Sequence, residues 1–299
     1  MVDKSKQVFL FLSHSALTEV VREYENIRSA TAGLGSAVFL CQWNKRCNEA
    51  PPGLPTQNLY LFSDKSLSKL NYRKIGRRLA PGHVGFPVLQ FFRAKPHFDY
   101  YWTIEYDVRF SGDWFFFFDS FKDASQDFLT CHVRDHADEP DWPWWSLDHP
   151  RKSIALSERL RSFNPIYRLS KAALSFMHQS LLDGWCGHNE VLFPTLLYHN
   201  GFTVMDIGGK GRFTAPNMRD KLYTESESNS AGALDSGTMR YRPPFQAVGE
   251  EKNRLYHPVK PLSFAISEKI GSQKRQCGLL RRLALRILDT FLPLRDPNR

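Results

Sequence analysis

The chain has 299 residues, of which 42% are hydrophobic and 14% aromatic, and its net charge is +9. This composition excludes a fibrous or wholly disordered protein and allows one large domain with or without an appendage. No apolar stretch reaches the length of a membrane-spanning helix, and the apolar run near the start is too short for a signal peptide. The five cysteines lack the spacing of zinc ligands, so we interpret them as structural thiols. These features predict a cytoplasmic protein.

The first part of the chain alternates between strand and helix patterns. An apolar, β-forming run at 7–14 precedes a segment with helical spacing of apolar residues, and strand-like runs follow at 36–43 and 58–64. This order is typical of an α/β sheet, whose ligands bind at the carboxyl ends of the strands. His14 and Ser15 follow the first strand directly, so we expect them at the binding edge.

The alternation continues for about 200 residues in all. It predicts one α/β domain over residues 1–262, with a mostly parallel central sheet flanked by helices. Ser170 is a plausible helix N-cap, and Gly201 a plausible helix end. The polar segment 224–239 is typical of a mobile loop or a lid. The later strands are expected at 100–108, 127–133, 164–170 and 202–208, and the helices at 113–123, 170–184 and 189–201.

Two carboxylates, Glu105 and Asp107, end an aromatic strand pattern. Alternation along a strand would place both on one face at the binding edge. Hard oxygen ligands there suit Mg²⁺ or Mn²⁺ bound together with a diphosphate, with Asp107 as the metal ligand and Glu105 as a contact to the outer coordination shell or to a ribose. The alternative is a pair of surface carboxylates bridged to Arg109.

A third carboxylate, Glu190, lies in the first turn of a predicted helix with His188 just before it. A carboxylate at this position commonly caps the helix or interacts favourably with the helix dipole, which stabilises the helix by about 0.3–1 kcal/mol. The same position could hold a general base on a rigid element. Both interpretations stay open on spacing alone.

A tryptophan-rich loop at 138–150 lies between predicted strands. Its rings could form a small hydrophobic plug, or they could stack on a sugar acceptor while a nearby aspartate bonds to hydroxyl groups. The acceptor-binding candidates are Trp142, Trp144, Trp145 and Asp141, with Asp148 as a further aspartate.

The last part of the chain is basic. Residues 267–299 hold eight basic and three acidic side chains, a net charge of +5. Within them, 279–292 has apolar residues on one helical face and arginines on the other, which predicts either a terminal helix docked on the core or a helix on an anionic membrane surface. We assign 263–299 as a basic amphipathic tail and expect no nucleic-acid partner, because no recognition motif is present.

The string from Trp102 to Gly112, WTIEYDVRFSG, resembles the motif W-x-x-E-x-D-V-R-(F/Y)-(S/T)-G of largely uncharacterised microbial glycosyltransferase-like proteins. The resemblance extends over roughly residues 85–260. The order of IEYD, PIYRLSKAAL and GHNEVLFPTLLYHNGFTVMD resembles the GT-A class of nucleotide-sugar glycosyltransferases. The segment HNEVLFPTLLYHNGF is similar to the acid-containing helix of inverting core-2 branching N-acetylglucosaminyltransferases.

The resemblance implies a single GT-A-like, Rossmann-like domain that transfers a sugar from a nucleotide-sugar donor to a saccharide or glycolipid acceptor. It implies a Mn²⁺ or Mg²⁺ cofactor, although Glu at the first acidic position leaves a metal-independent reaction open. The resemblance implies metal binding for Asp107 and base chemistry for Glu190 beside His188. By the same resemblance His257 is a candidate metal ligand, with a purely structural histidine as the alternative, and Lys260 is a candidate diphosphate contact. The other donor-binding candidates are His14 and Ser15, from their place at the sheet edge, with Glu105, Asp107 and Arg109.

Three classes of function follow. The leading one is an inverting glycosyltransferase of polysaccharide or lipopolysaccharide synthesis, cytoplasmic and peripheral on the inner face of the membrane. A metal-dependent phosphoryl or nucleotidyl transferase would use the same acidic strand end. A non-catalytic protein that binds a membrane surface through the basic tail is the third.

Overall fold

The computed structural model describes residues 6–44, 53–55, 57–76, 79–80 and 82–260. The chain divides into two compact units, Met1–Val259 and Lys260–Arg299. The second unit lies outside the described residues except for Lys260. The predicted tail, 263–299, and its amphipathic segment, 279–292, are therefore outside them too.

The described residues form eleven strands: β1 Gln7–Ser13, β2 Gly35–Gln42, β3 Leu59–Phe62, β4 Tyr100–Glu105, β5 Arg109–Phe110, β6 Phe128–Asp135, β7 Leu147–Asp148, β8 Leu160–Ser170, β9 Cys186–Gly187, β10 Val204–Asp206 and β11 Leu255–Tyr256. Seven of them build a central sheet in the order β10-β6-β8-β4-β1-β2-β3. All neighbours in this sheet are parallel except the two pairs made by β8. The predicted α/β fold with a mostly parallel sheet is confirmed.

In the part of the chain that the structure describes, six α-helices accompany the sheet: α1 Thr18–Thr31, α2 Asp64–Ser68, α3 Phe86–Ala94, α4 Trp114–Asp119, α5 Lys171–Asp183 and α6 Asn189–His199. Ser170 caps α5 as predicted, because its side chain accepts a hydrogen bond from the backbone N–H of Ala173. Helix α6 ends two residues before Gly201, which has the left-handed φ of +80°. Glycine adopts this conformation without steric cost.

Both faces of β1 are buried, which explains its continuous apolar run. Val8 and Leu10 belong to a core cluster that includes residues of α3, α5 and α6. On the opposite face, the ring of Phe9 lies 4.8 Å from Phe118 of α4, and the ring of Phe11 lies 5.9 Å from Tyr24 of α1. Helices therefore cover the sheet on both sides.

The four phenylalanines of α4 divide between the core and the surface. Phe117 and Phe118 are buried and contact the ring of Trp102 on β4. Phe115 and Phe116 are exposed. Asp113 caps the helix by accepting a hydrogen bond from the N–H of Phe115. The helix thus packs against β4 at Trp102.

Residues 224–239, expected as a mobile loop or lid, pack against the tryptophan loop. Gly232 has a φ of +71°, and a Cβ atom at this position would lie 2.4 Å from the carbonyl oxygen of Asp141. Leu234 and Met239 are buried. Within the described ranges, no helix has both the length and the apolar character that crossing a membrane requires.

Candidate functional site

Glu105 and Asp107 lie at the carboxyl end of β4. The strand ends at Glu105, and Asp107 belongs to the following turn, in which the N–H of Val108 donates to the carbonyl of Glu105. Strand alternation was therefore the wrong reason for their common location, since the backbone turns between them. They nevertheless lie at the predicted edge of the sheet.

His257 lies at the same edge, although it comes much later in the chain. Strand β11 pairs antiparallel with β5, and the N–H of Val259 donates to the carbonyl of Asp107 at 2.8 Å. This ladder brings the His257 Nε2 atom to 3.5 Å from Asp107 Oδ1 and 3.8 Å from Glu105 Oε2. The other ring nitrogen, Nδ1, lies 2.9 Å from the carbonyl oxygen of Arg240, which orients the imidazole.

The two carboxylates and the imidazole depend on one another electrostatically. Burial alone would lower the pKa of His257, but the charges and hydrogen bonds of Asp107 and Glu105 outweigh it and raise the pKa to about 9. Burial raises the pKa of Glu105, and its hydrogen bond to His257 opposes that shift. The two carboxylates therefore stabilise a positive charge at this edge of the sheet, whether on His257 or on a cation.

These three side chains could hold a divalent cation. One ligand atom from each residue lies within 4.8 Å of the others. Donor atoms about 2.1 Å from one ion lie about 3 to 4 Å apart in octahedral coordination, so small side-chain movements would suffice. Two carboxylates and one imidazole form a donor set that suits Mn²⁺ and leaves positions for phosphate oxygens. The residues present fit the implied metal.

Glu190 occupies the first turn of α6, next to Asn164 on one side and His188 on the other. Its Oε1 atom accepts a hydrogen bond from the N–H of Asn164 on β8 at 3.3 Å. Burial raises its pKa, while the nearby Arg161 charge is the largest opposing influence. Glu190 also acts on Glu105, whose pKa it raises. The third carboxylate therefore lies within electrostatic reach of the proposed metal ligands.

His188 is the N-cap of α6. Its Nδ1 atom accepts the N–H of Glu190 at 3.3 Å, so that nitrogen carries no proton in this arrangement. Burial, followed by the charge of Arg161, lowers the pKa of His188 to about 4. His188 lies beside Glu190 as predicted, but its geometry is that of a neutral helix cap that positions Glu190.

The tryptophan loop divides into buried and exposed rings. Trp142 and Trp145 are 6% and 5% exposed, which favours the plug over a sugar-stacking surface. Trp144 is 40% exposed, and its ring centroid lies 5.4 Å from that of His188. Of these three rings, only Trp144 is exposed, and its predicted contact with an acceptor stays a prediction.

Two loop aspartates have different surroundings. Asp141 is exposed, and its predicted contact with an acceptor stays a prediction. Asp148 forms an ion pair with Arg73 at the surface and does not face Glu190 through any described contact.

The predicted donor-binding residues near the amino end flank the same edge. The His14 ring lies edge-on to Tyr106, with centroids 4.8 Å apart, immediately before Asp107 in the chain. Ser15 stabilises the turn into α1, since its Oγ atom accepts from the N–H of Leu17. Both residues lie where the sequence predicted them, and their contact with a donor stays a prediction.

Arg109 has a local role in the structure. Its guanidinium donates to the carbonyls of Tyr106 and Val108 and forms an ion pair with Glu23 on α1. It therefore stabilises the turn that carries Asp107, and this geometry gives no support to a donor contact. Lys260 is the first residue of the second unit, so its predicted diphosphate contact stays a prediction.

A buried charged network behind Glu190 was missed by the sequence reasoning. Arg161 of β8 donates to Glu139 at 2.8 Å, and its guanidinium lies 4.3 Å from the centre of the Trp142 ring. Glu139 also lies 2.7 Å from His132 Nε2. Arg161 precedes the expected strand 164–170 and is followed by Ser162, so the local pattern carried no sign of its burial. A buried arginine needs partners. Here one partner is the plug residue Trp142.

The chain is similar to one protein family and to solved transferase structures. A family model described as "Protein of unknown function (DUF3405)" matches residues 56–130, about a quarter of the chain. None of the curated proteins is significantly similar in sequence. The chain is similar, at 12% identity and a TM-score of 0.29, to a solved glycosyltransferase involved in glycosylation of the major capsid of PBCV-1. That match covers 58% of this chain and 64% of that glycosyltransferase, so the chain spans less than two thirds of its length.

A second solved structure is a putative glucose-1-phosphate thymidylyltransferase from Bacillus anthracis in complex with sucrose. It is 11% identical with a TM-score of 0.35, and the match covers 69% of this chain and 88% of the bacterial protein. Similarities this low say nothing about activity.

Proposed function

We propose that the protein is a nucleotide-sugar glycosyltransferase. The observation that supports this best is the convergence of Glu105, Asp107 and His257, with ligand atoms within 4.8 Å, in the electrostatic range of Glu190. A candidate cation-binding cluster beside a separate, largely buried carboxylate matches the two needs of glycosyl transfer. One group must offset the charge of the departing diphosphate, and another must take the acceptor proton.

In this proposal Glu105, Asp107 and His257 hold Mn²⁺ or Mg²⁺, which when bound supplies positive charge to the leaving nucleoside diphosphate. Glu190 accepts the proton of the acceptor hydroxyl. Burial raises the pKa of Glu190 and thereby strengthens it as a base, while the charge of Arg161 favours its ionised form. Because Glu190 would act on the acceptor and form no bond to the sugar, the expected outcome is inversion.

His188 and Asn164 position the base. The N–H of Asn164 donates to Oε1 of Glu190, and His188 caps the helix that carries it. Trp144 provides an exposed ring beside His188, which suits the apolar face of a saccharide or glycolipid head group. We expect the acceptor to lie between Trp144 and Glu190.

A phosphoryl or nucleotidyl transferase would also use the Glu105, Asp107 and His257 cluster. Glu190 favours glycosyl transfer, because a largely buried carboxylate with a raised pKa fits removal of a hydroxyl proton. The third possibility, a membrane-binding protein without activity, depends on a tail outside the described residues.

A ligand screen tests the proposal. Wild-type protein is heated with UDP-, GDP- and CMP-sugars or with nucleoside triphosphates, each with and without Mn²⁺. A ligand that binds the folded state raises the melting temperature. We expect one class of nucleotide sugar to stabilise the protein in the presence of Mn²⁺ and to be consumed with release of the nucleoside diphosphate. Stabilisation and turnover of triphosphates alone would reject the proposal in favour of nucleotidyl transfer.

A further inference from the structure

A groove of about 590 Å³ lies at the outer edge of the sheet, beside β10. Its wall includes Tyr198 from the last turn of α6, whereas Glu190 lies in the first turn of that helix. These positions are about 12 Å apart along the axis of a regular helix. The groove is thus separate from the candidate site, and its volume lies in the usual range for a small-molecule ligand.

The groove combines aromatic rings with polar side chains. Tyr198 is 42% exposed, and Phe213 lines the groove beside it. Arg212 lies over both rings, with its guanidinium 5.3 Å from the centre of Tyr198 and 4.2 Å from that of Phe213. Asp135 holds this guanidinium with two hydrogen bonds of 2.7 and 2.8 Å. The aromatic surface is therefore preorganised.

Two polar atoms in the groove wall point to a ligand. Thr214 is 3% exposed, and its Oγ1 atom has no hydrogen-bond partner among the described residues. Gln126 lines the groove as well, and within the same part of the chain its buried Oε1 atom also has no partner. Leaving a buried polar group unsatisfied costs about 1–3 kcal/mol, so a ligand that bonds to these atoms would recover part of that cost.

The charge of the groove indicates a neutral ligand. Arg212 is the charged residue in the described wall, and Asp135 already neutralises it. An anionic ligand would have to compete with that carboxylate. Flat aromatic surface next to hydroxyl and amide groups matches a saccharide, which has apolar C–H faces and equatorial hydroxyls.

We propose that this groove is a second carbohydrate-binding site that takes a neutral oligosaccharide, distinct from the site around Glu190. A sugar ring packs on the exposed part of Tyr198, and its hydroxyl groups bond to Thr214 and Gln126 once these side chains turn toward the groove. Binding here needs neither a metal nor a nucleotide. Binding in the groove can therefore be tested whether or not the protein transfers a sugar.

Isothermal titration calorimetry of the full chain with cellotetraose, maltotetraose, chitotetraose and mannotetraose tests this site. We expect at least one of them to bind wild-type protein with a millimolar or lower Kd. Tyr198→Ala should weaken that binding about tenfold, the loss expected for one aromatic contact. Thr214→Val should also weaken it, and because the Thr214 hydroxyl has no described partner, this variant should fold normally.

Two controls distinguish the groove from the candidate active site. Tyr241→Ala removes an exposed tyrosine outside the groove wall and should leave saccharide affinity unchanged. Glu190→Gln should leave it unchanged too. The proposal is overturned if none of the four tetrasaccharides binds, if Tyr198→Ala and Thr214→Val bind as well as wild type, or if Glu190→Gln abolishes binding.

Discussion

The imidazole of His257 faces the carboxylate of Asp107, with Nε2 3.5 Å from Oδ1. The two residues come from segments far apart in the chain, and the short β5–β11 ladder joins them. A histidine enclosed by two carboxylates at a sheet edge costs desolvation energy that the core does not require. Such an arrangement is typical of a binding site, and it forms the centre of the proposed function.

Glu190→Gln tests the assignment of the base. The amide keeps the size of the side chain but cannot accept a proton, so we expect transfer to fall by about 10²- to 10⁴-fold. Donor binding and the melting temperature should change little. Glu227→Gln, at an exposed position, is the matched control. Transfer at wild-type rate in Glu190→Gln would show that another group takes the proton.

Trp142→Ala and Trp144→Ala should differ in their effects. Trp142 is buried against Arg161, so its loss should reduce the free energy of unfolding by about 3–5 kcal/mol, measured with urea. Trp144 is exposed beside His188, so its loss should spare stability and raise the KM for the acceptor. A Trp142→Ala protein with unchanged stability and an altered KM for the acceptor would contradict the structural role of Trp142.

Glu139 should make folding stability depend on pH in the acidic range. Burial alone would raise its pKa, but His132 and Arg161 lower it from 4.5 to about 2. The folded state then favours the carboxylate, so its contribution of up to about 3 kcal/mol is complete above pH 4.5 and is lost as the pH falls toward 2.

Urea unfolding of wild type and Glu139→Gln at several pH values measures this contribution. At pH 7 the variant should lose about 3–5 kcal/mol, because Arg161 stays buried without its counter-charge. Its stability should also decline less steeply than that of wild type between pH 4.5 and 2. Parallel pH profiles for the two proteins would argue against a strongly lowered pKa at Glu139.

Gly232→Ala tests the packing of 224–239 on the tryptophan loop. The new Cβ would lie 2.4 Å from the carbonyl oxygen of Asp141, in backbone that cannot easily move. Gly201 is the matched control, since it also has a positive φ but nothing within 4 Å of its Cβ position.

Gly201→Ala should therefore cost only the left-handed strain of about 1–2 kcal/mol, and Gly232→Ala clearly more, as measured by urea unfolding. Equal losses would mean that 224–239 does not pack closely on the loop in solution.

The main strands and helices were predictable because their apolar runs are long and their periodicity is clear. Strand β1 and helix α5, with its Ser170 cap, are examples. The direction of β8 was not predictable, since a fully buried strand has the same pattern whether it runs parallel or antiparallel. The residue types of the candidate site were visible in the sequence, but their arrangement was not.

Tertiary contacts account for what the sequence pattern missed. Strands β5 and β11 have two residues each, too few for a periodic signal, yet their pairing brings His257 to Asp107. Trp142 lies in a loop and packs against Arg161, which belongs to strand β8. Local spacing contains no information on either contact.

Binding of Mn²⁺, followed by electron paramagnetic resonance of the free ion, tests the central claim most directly. Wild-type protein should bind one Mn²⁺, and Asp107→Asn and His257→Ala should each weaken binding at least about 100-fold, the upper end of what loss of an outer-shell partner costs. His97→Ala, which removes an exposed histidine, should bind as wild type does. Undiminished Mn²⁺ affinity in both Asp107→Asn and His257→Ala would contradict the proposed metal site.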